Sequence, residues 1–164
     1  MSIRIKNRHR LKTKEINEII QELTATYHHT FFERTASIET GDLEGFTVIF
    51  IENDVDFFRN EQRILLTLRG VLKYKLTQQK IVVDMGAVKF IVNGADIMAA
   101  GIVDADPEIK VDDPVWVCDE TYQKPLAVGI ALLSGQDMTT TKTGKAVKNL
   151  HYVGDPLWTL TKIP

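Results

Sequence analysis

Between residues 13 and about 27 the apolar side chains Ile16, Ile19, Ile20 and Leu23 recur three and four positions apart, while Glu18 and Glu22 fall on the other side. That stripe predicts an amphipathic helix with Thr13 as its N-cap and Glu15 well placed in the first turn. The period then changes. Residues 47–51 and 55–58 are β-branched and aromatic runs separated by Glu52-Asn53-Asp54, a combination that predicts a hairpin. Ile64, Leu65, Leu68, Val71, Leu72 and Lys75 return to helical spacing, so a second helix is expected there.

Beyond Thr77-Gln78-Gln79 the pattern shortens. Ile81-Val82-Val83 reads as a strand, and residues 87–92 as a short helix that stops at Asn93-Gly94, where a positive φ is needed. Further strands are expected at 115–118, 126–133, 149–153 and 157–160, with polar or Gly/Pro turns such as Asp155-Pro156 between them. Many short strands with one brief helix predict a small closed β-barrel. No linker of biased composition separates the halves, so they are expected to pack together.

Composition narrows the class. Of 164 residues, 44% are hydrophobic, enough to bury a core, which excludes a disordered chain. No heptad persists, and no apolar run approaches the roughly 20 residues that cross a bilayer. Residues 1–6 carry basic side chains with no apolar stretch behind them, so no secretory signal is expected. Cys118 is alone and cannot form an internal disulfide; this suits a reducing compartment, and a cytoplasmic protein is expected. Set in Val115-Trp116-Val117-Cys118, it reads as an inert buried thiol.

The formal charge is only -2, but it is unevenly spread. Arg4, Lys6, Arg8, Arg10, Lys12 and Lys14 stand without an acidic residue among them. They read either as a solvated arm or as one that seeks phosphates. Asp104, Asp106, Glu108, Asp112, Asp113, Asp119 and Glu120, opposed only by Lys110, read as a solvated acidic stretch.

Catalytic motifs are not found. Gly144-Lys145 fails as a phosphate loop, because Thr139 and Ala146 occupy positions where glycine and a hydroxyl residue are required. Gly86, Gly94 and Gly101 are too widely spaced for one dinucleotide-binding turn. His28 and His29 would point about 100° apart on a helix, and His9 and His151 lack neighbours at ligand spacing. Neither enzyme activity nor a metal or cofactor is expected.

One long stretch carries a resemblance. Val82-Val83-Asp84-Met85-Gly86-Ala87-Val88-Lys89-Phe90-Ile91-Val92-Asn93-Gly94-Ala95-Asp96-Ile97-Met98-Ala99-Ala100-Gly101-Ile102 resembles the opening of a PUA domain, an RNA-binding module. Asn149-Leu150-His151-Tyr152-Val153-Gly154-Asp155-Pro156-Leu157-Trp158 is similar to its last strands. Upstream, Val55-Asp56-Phe57-Phe58-Arg59, Thr67-Leu68-Arg69 and Lys73-Tyr74 resemble the pre-PUA region of the malignant T-cell-amplified protein family, to which ligatin is related. The family usually has proline where this chain has Ala100.

The resemblance implies an α+β fold: an N-terminal α+β pre-PUA domain, residues 1–78, packed on a C-terminal PUA β-pseudobarrel, residues 79–164. It implies noncatalytic RNA binding in translation initiation, reinitiation or recycling, through tRNA or small-subunit rRNA. The implied partners are that structured RNA, the small ribosomal subunit and a protein like density-regulated protein.

Carried over by position, the implied RNA site comprises Gly86, Ala87, Val88 and Lys89, then Gly94, Ala95, Asp96, Ile97 and Met98, then Gly101, with Lys142, Lys145 and Lys148 extending a positive rim. Small residues let a phosphate chain approach backbone amides, and a helix start at Gly86-Ala87 favours an anion. Ala87, Phe90 and Ile91 are expected to face inward, and Lys89 and Asn93 outward. Taken singly, Gly94 and Gly101 are better explained as turn residues, and Trp116 and Trp158, set in apolar strands, read as core rather than as base-stacking platforms. Two other classes stay open. One is an accessory chain delivering tRNA to a separate modification enzyme; the other is a protein adaptor docking through residues such as Phe57, since of Phe57 and Phe58 at most one can face solvent.

Overall fold

A computed structural model describes residues 4–161; Met1, Ser2 and Ile3, part of the segment weighed as a signal, lie outside them. The first unit is a five-stranded antiparallel sheet in the order β1-β2-β3-β4-β5, made of β1 (Lys6–Arg10), β2 (Ile38–Leu43), β3 (Phe46–Ile51), β4 (Asp54–Asn60) and β5 (Arg63–Leu66). The expected hairpin is β3 and β4. Glu52 and Asn53 both take positive φ (49° and 74°), the turn whose twist matches that of paired strands. Helix α1 (Thr13–Tyr27) buries Ile19, Leu23 and Tyr27.

Four expectations are corrected here. The N-cap of α1 is Lys12, one residue earlier than expected, and Glu15 reaches back to accept its N–H at 3.2 Å. Ile64 and Leu65 lie in β5, and the helix begins only at α2 (Leu68–Lys73), capped by the Thr67 hydroxyl. A consecutive buried apolar run satisfies a strand covered on both faces as well as it does a helix. The basic segment is no loose arm: β1 pairs with β2, Arg8 joins Glu39 at 2.9 Å, and its guanidinium lies 3.9 Å from the centre of the Phe50 ring. Finally, Phe57 and Phe58 are both buried, because rings pack on each side of the sheet. Phe57 meets Phe31 and Tyr74, whereas Phe58 meets Phe46 and His151, so Phe57 offers no docking surface.

The second sheet has the order β7-β11-β10-β9-β6-β8. Its strands are β6 (Lys80–Val83), β7 (Ile97–Met98), β8 (Ile102–Ala105), β9 (Pro114–Asp119), β10 (Pro125–Ala131) and β11 (Lys145–Tyr152). Only β6 and β9 run parallel. The two edge strands, β7 and β8, are joined by the three-residue 3-10 turn Ala99–Gly101, so the sheet curls back into a pseudobarrel. Helices α3 (Met85–Ile91) and α4 (Gly135–Thr140) complete it. Its core holds Ile81, Val83, Val117, Ala127, Met138 and Val147.

Residues 157–160 are helical rather than extended. They belong to α5 (Pro156–Thr161), whose first turn is capped by Asp155 accepting the Trp158 N–H at 2.7 Å. Pro156 sits at the first helical position, where its missing N–H costs nothing. The acidic stretch is also partly committed: Asp106 accepts the backbone N–H groups of Gln79 and Glu108, and Asp113 that of Lys110.

The two sheets share apolar packing. Val82, Trp116, Cys118, Val128 and Leu157 join the core of the first unit. Burial pushes the Cys118 thiol up, as expected of an inert cysteine. At the junction His151 is fully buried: its Nε2 accepts the Leu68 N–H at 3.1 Å and its Nδ1 meets Asp155 at 2.9 Å. A ring nitrogen that accepts carries no proton, so the proton sits on Nδ1 and is donated to the carboxylate.

Nearby, buried Asp56 accepts from the Tyr74 hydroxyl at 2.6 Å and the Lys73 ammonium at 2.8 Å. Burial, then the Asp56 carboxylate, pushes the Tyr74 hydroxyl up. Asp54 completes the network with Arg69 at 2.9 Å and Lys73 at 3.3 Å. Among the described residues no helix is long and apolar enough to cross a membrane, and no three ligand-type side chains gather as a metal site.

Candidate nucleic-acid interface

A cleft of about 640 Å³ opens on the barrel between α3, β7 and the 3-10 turn. Strand β6 ends at Val83, and Asp84 caps α3 by accepting the Ala87 N–H at 2.9 Å. The chain crosses back over the cleft at Ala95–Met98 and turns at Ala100-Gly101. A Cβ on Gly101 would stand 3.2 Å from that of Ala87, so glycine lets the turn lie close to the helix.

Of the residues expected at the site, Gly86, Ala87, Ala95, Asp96, Ile97, Met98, Gly101 and Lys145 line this one cleft. Four do not. Val88 packs against the barrel core, and Lys89 is exposed beside Phe90 without lining the cleft. Gly94 takes φ +92° to end α3 and backs onto the Tyr152 ring, a turn role. Lys148 is exposed on β11, opposite Ile130 in β10, and its charge reaches Asp96.

Two physical expectations change. The start of α3 is not open to a phosphate, because the Asp84 carboxylate already occupies it. Phe90 does not face inward: it lines the cleft and is 58% exposed, and Met98, 47% exposed, lines it too. On this two-turn helix Ile91 alone is fully buried, while Ala87 and Val88 pack against the core from partly buried positions. Sequence reading therefore missed Asp84, Phe90, Ile91 and Ala100 as lining residues. Ala87, Phe90 and Ile91 share the spacing of one helical stripe, so the sequence carried no signal that Phe90 is turned outward.

The electrostatics are close to neutral. Lys145 is the single cation among the lining residues, and it pairs with Asp96 at 3.1 Å. Partial burial opposes the charged form of Asp96, but the Asn149 N–H and the Lys145 ammonium together hold its carboxyl below the usual range. Asn149 also donates its side-chain amide to the carbonyls of Ile91 and Ala95, fixing the end of α3 to the segment that enters β7. The cleft is thus a rigid, mainly apolar slot with an aromatic ring at its mouth. Lys89, whose ammonium lies 5.1 Å from the centre of that ring, Lys145 and Lys148 stand around it. Such a slot fits a flat, partly apolar group bearing negative charge at its margin.

Residues 79–153 match the family model described as the PUA domain. The chain is 40% identical over 156 residues to an uncharacterized protein of Methanocaldococcus jannaschii, covering 94% of this chain and 96% of that one. It is 32% identical over 119 residues to translation machinery-associated protein 20 of Eremothecium gossypii, covering 69% of this chain and 66% of that protein. It is likewise 32% identical over 119 residues to malignant T-cell-amplified sequence 1 of Rattus norvegicus, covering 70% and 65%. The alignments therefore span slightly less than two thirds of these last two relatives. The crystal structure of a hypothetical protein from Pyrococcus horikoshii is similar with a TM-score of 0.86 and 34% identity, over 94% of this chain and 99% of that one.

Proposed function

This chain is a PUA-domain protein and belongs to the family of the malignant T-cell-amplified and translation machinery-associated proteins, and from that premise we propose that it is a noncatalytic RNA-binding protein acting in translation. The RNA is tRNA or small-subunit rRNA, and the small ribosomal subunit and a protein like density-regulated protein are the proposed partners. The observation that carries the reading is the apolar cleft with Phe90 at its mouth. An unpaired base stacks on that ring, and Lys89, Lys145 and Lys148 meet the flanking phosphates. The proposed domain boundary lies between residues 78 and 79.

The site works by holding rather than by reacting. Asp84 and Asp96 are both engaged in hydrogen bonds that position backbone, Lys145 is paired with Asp96, and among the described residues no Ser, Thr, Cys, His or Tyr lines the cleft. Apolar walls exclude water from the base, so stacking contributes about 1–3 kcal/mol per base. Titration with unfractionated deacylated tRNA and with isolated small ribosomal subunits tests the reading. Binding is expected to weaken about tenfold or more in Phe90→Ala. Failure of the parent protein to bind either RNA at low salt, alongside capture of a partner protein through the same cleft, would select the adaptor reading instead.

A further inference from the structure

We propose that β1 and the residues leading into α1 form a second phosphate-contacting strip, on the sheet that does not carry the cleft. This rests on the RNA reading above and adds to it where else the polyanion is held. Lys6, Arg8 and Arg10 lie on an edge strand whose five residues are all exposed, and Arg4, Lys12 and Lys14 extend the exposed cations on either side. Arg8 is ion-paired. Among the described residues, Arg4, Lys6, Arg10, Lys12 and Lys14 take part in no ion pair.

The neighbouring carboxylates do not neutralise the strip. Glu39 faces Arg10 across the ladder but is held by Arg8, Asp42 accepts from the Asn7 amide, and Glu15 accepts the Lys12 N–H. Six cations against these three acids leave a net charge of +3.

Two features argue for a side-chain contact with an extended anion rather than strand pairing with another protein. Asn7 takes φ 56°, and the register slips between Lys6 and His9, so the outer edge of β1 is kinked and a poor template for a further strand. The cations also run past the strand: Lys12 and Lys14 sit at the positive end of α1, where the helix field disfavours them. A bound phosphate chain removes that conflict. The strip shares no residue with the cleft, so one RNA can touch both.

The test is the salt dependence of binding to unfractionated deacylated tRNA. Combined Lys6→Gln, Arg10→Gln, Lys12→Gln and Lys14→Gln substitutions, which leave Arg8 in place, are expected to lower the slope of log K against log salt by about 3, whereas Phe90→Ala weakens binding at every salt concentration and leaves the slope unchanged. If the fourfold variant melts early, Lys6→Gln with Arg10→Gln alone is expected to lower the slope by about 1.5. An unchanged slope in a folded variant, while the parent binds tRNA, overturns the strip and spares the RNA reading. Absence of tRNA binding by the parent overturns the RNA reading first. Binding of the parent to phosphatidylserine vesicles that is lost in the fourfold variant, with tRNA binding intact, reassigns the strip to a lipid surface and overturns it.

Discussion

In the five-stranded sheet the aromatic and charged side chains close on one another: Phe57 and Phe58 are sealed on opposite faces, and Asp56 is buried with Lys73 and Tyr74 bonded to it. On the α3–β7 face of the barrel the same residue types stay open. Phe90 and Met98 reach solvent, and Lys145 holds Asp96 from a largely exposed position. Burying a side chain of this size contributes about 1.5–3 kcal/mol. The first region has taken that stabilisation on folding; the second has left it available to a ligand. One region is framework, and the other leaves apolar side chains at the surface.

The contrast is broken most severely at the two phenylalanines. Phe57→Ala is expected to lose about 3–5 kcal/mol of folding stability, read from the denaturant midpoint. Phe90→Ala is expected to stay within about 1 kcal/mol of the parent in the same experiment while losing tRNA affinity. Equal destabilisation by both would place Phe90 in the framework. Next come the lysines. Lys73→Met leaves buried Asp56 with the Tyr74 hydroxyl and a long, 3.9 Å ion pair to Arg69 and is expected to cost about 2 kcal/mol, whereas Lys145→Gln is expected to cost less than about 0.5 kcal/mol because its charge is solvated.

The smallest effect is a pH dependence. Asp96 has its folded carboxyl held below the usual range, so it binds a proton more readily in the unfolded chain. The stability it contributes is present above about pH 4 and is lost as the pH falls through the folded value. Thermal melts of the parent and of Asp96→Asn are therefore expected to differ at neutral pH and converge in acid. A gap that widens on acidification would reverse the assignment.

Much of this division was legible in the order of residues, and what was not has particular causes. The α1 stripe, the β3–β4 hairpin and the Gly94 stop each rest on a local signal of several residues. Strand β5 was hidden because Ile64, Leu65 and Leu68 keep helical spacing across the Thr67 cap, and four residues are too few to establish a period. Helix α5 was hidden because Leu157 and Leu160 sit in an apolar run; Asp155-Pro156, a cap followed by a first-turn proline, was the overlooked start. Strand β1 carries no buried residue at all, so nothing in its apolar pattern distinguished an edge strand from a free arm. At the site, eight of the expected positions converge on the cleft, but the outward face of Phe90 depends on how α3 meets the barrel, which spacing alone does not fix.

The buried His151 has a consequence for reach. Its ring is gripped from one side by the helix cap at Asp155 and from the other by the backbone of Leu68, so sliding either sheet past the other would strand a donor and an acceptor together. The molecule therefore behaves as calipers locked at one setting. Under the function proposed above, a polynucleotide that engages the edge of one sheet meets the slot on the other only if its own shape supplies that span, so that length and curvature sort folded RNAs before any base is read.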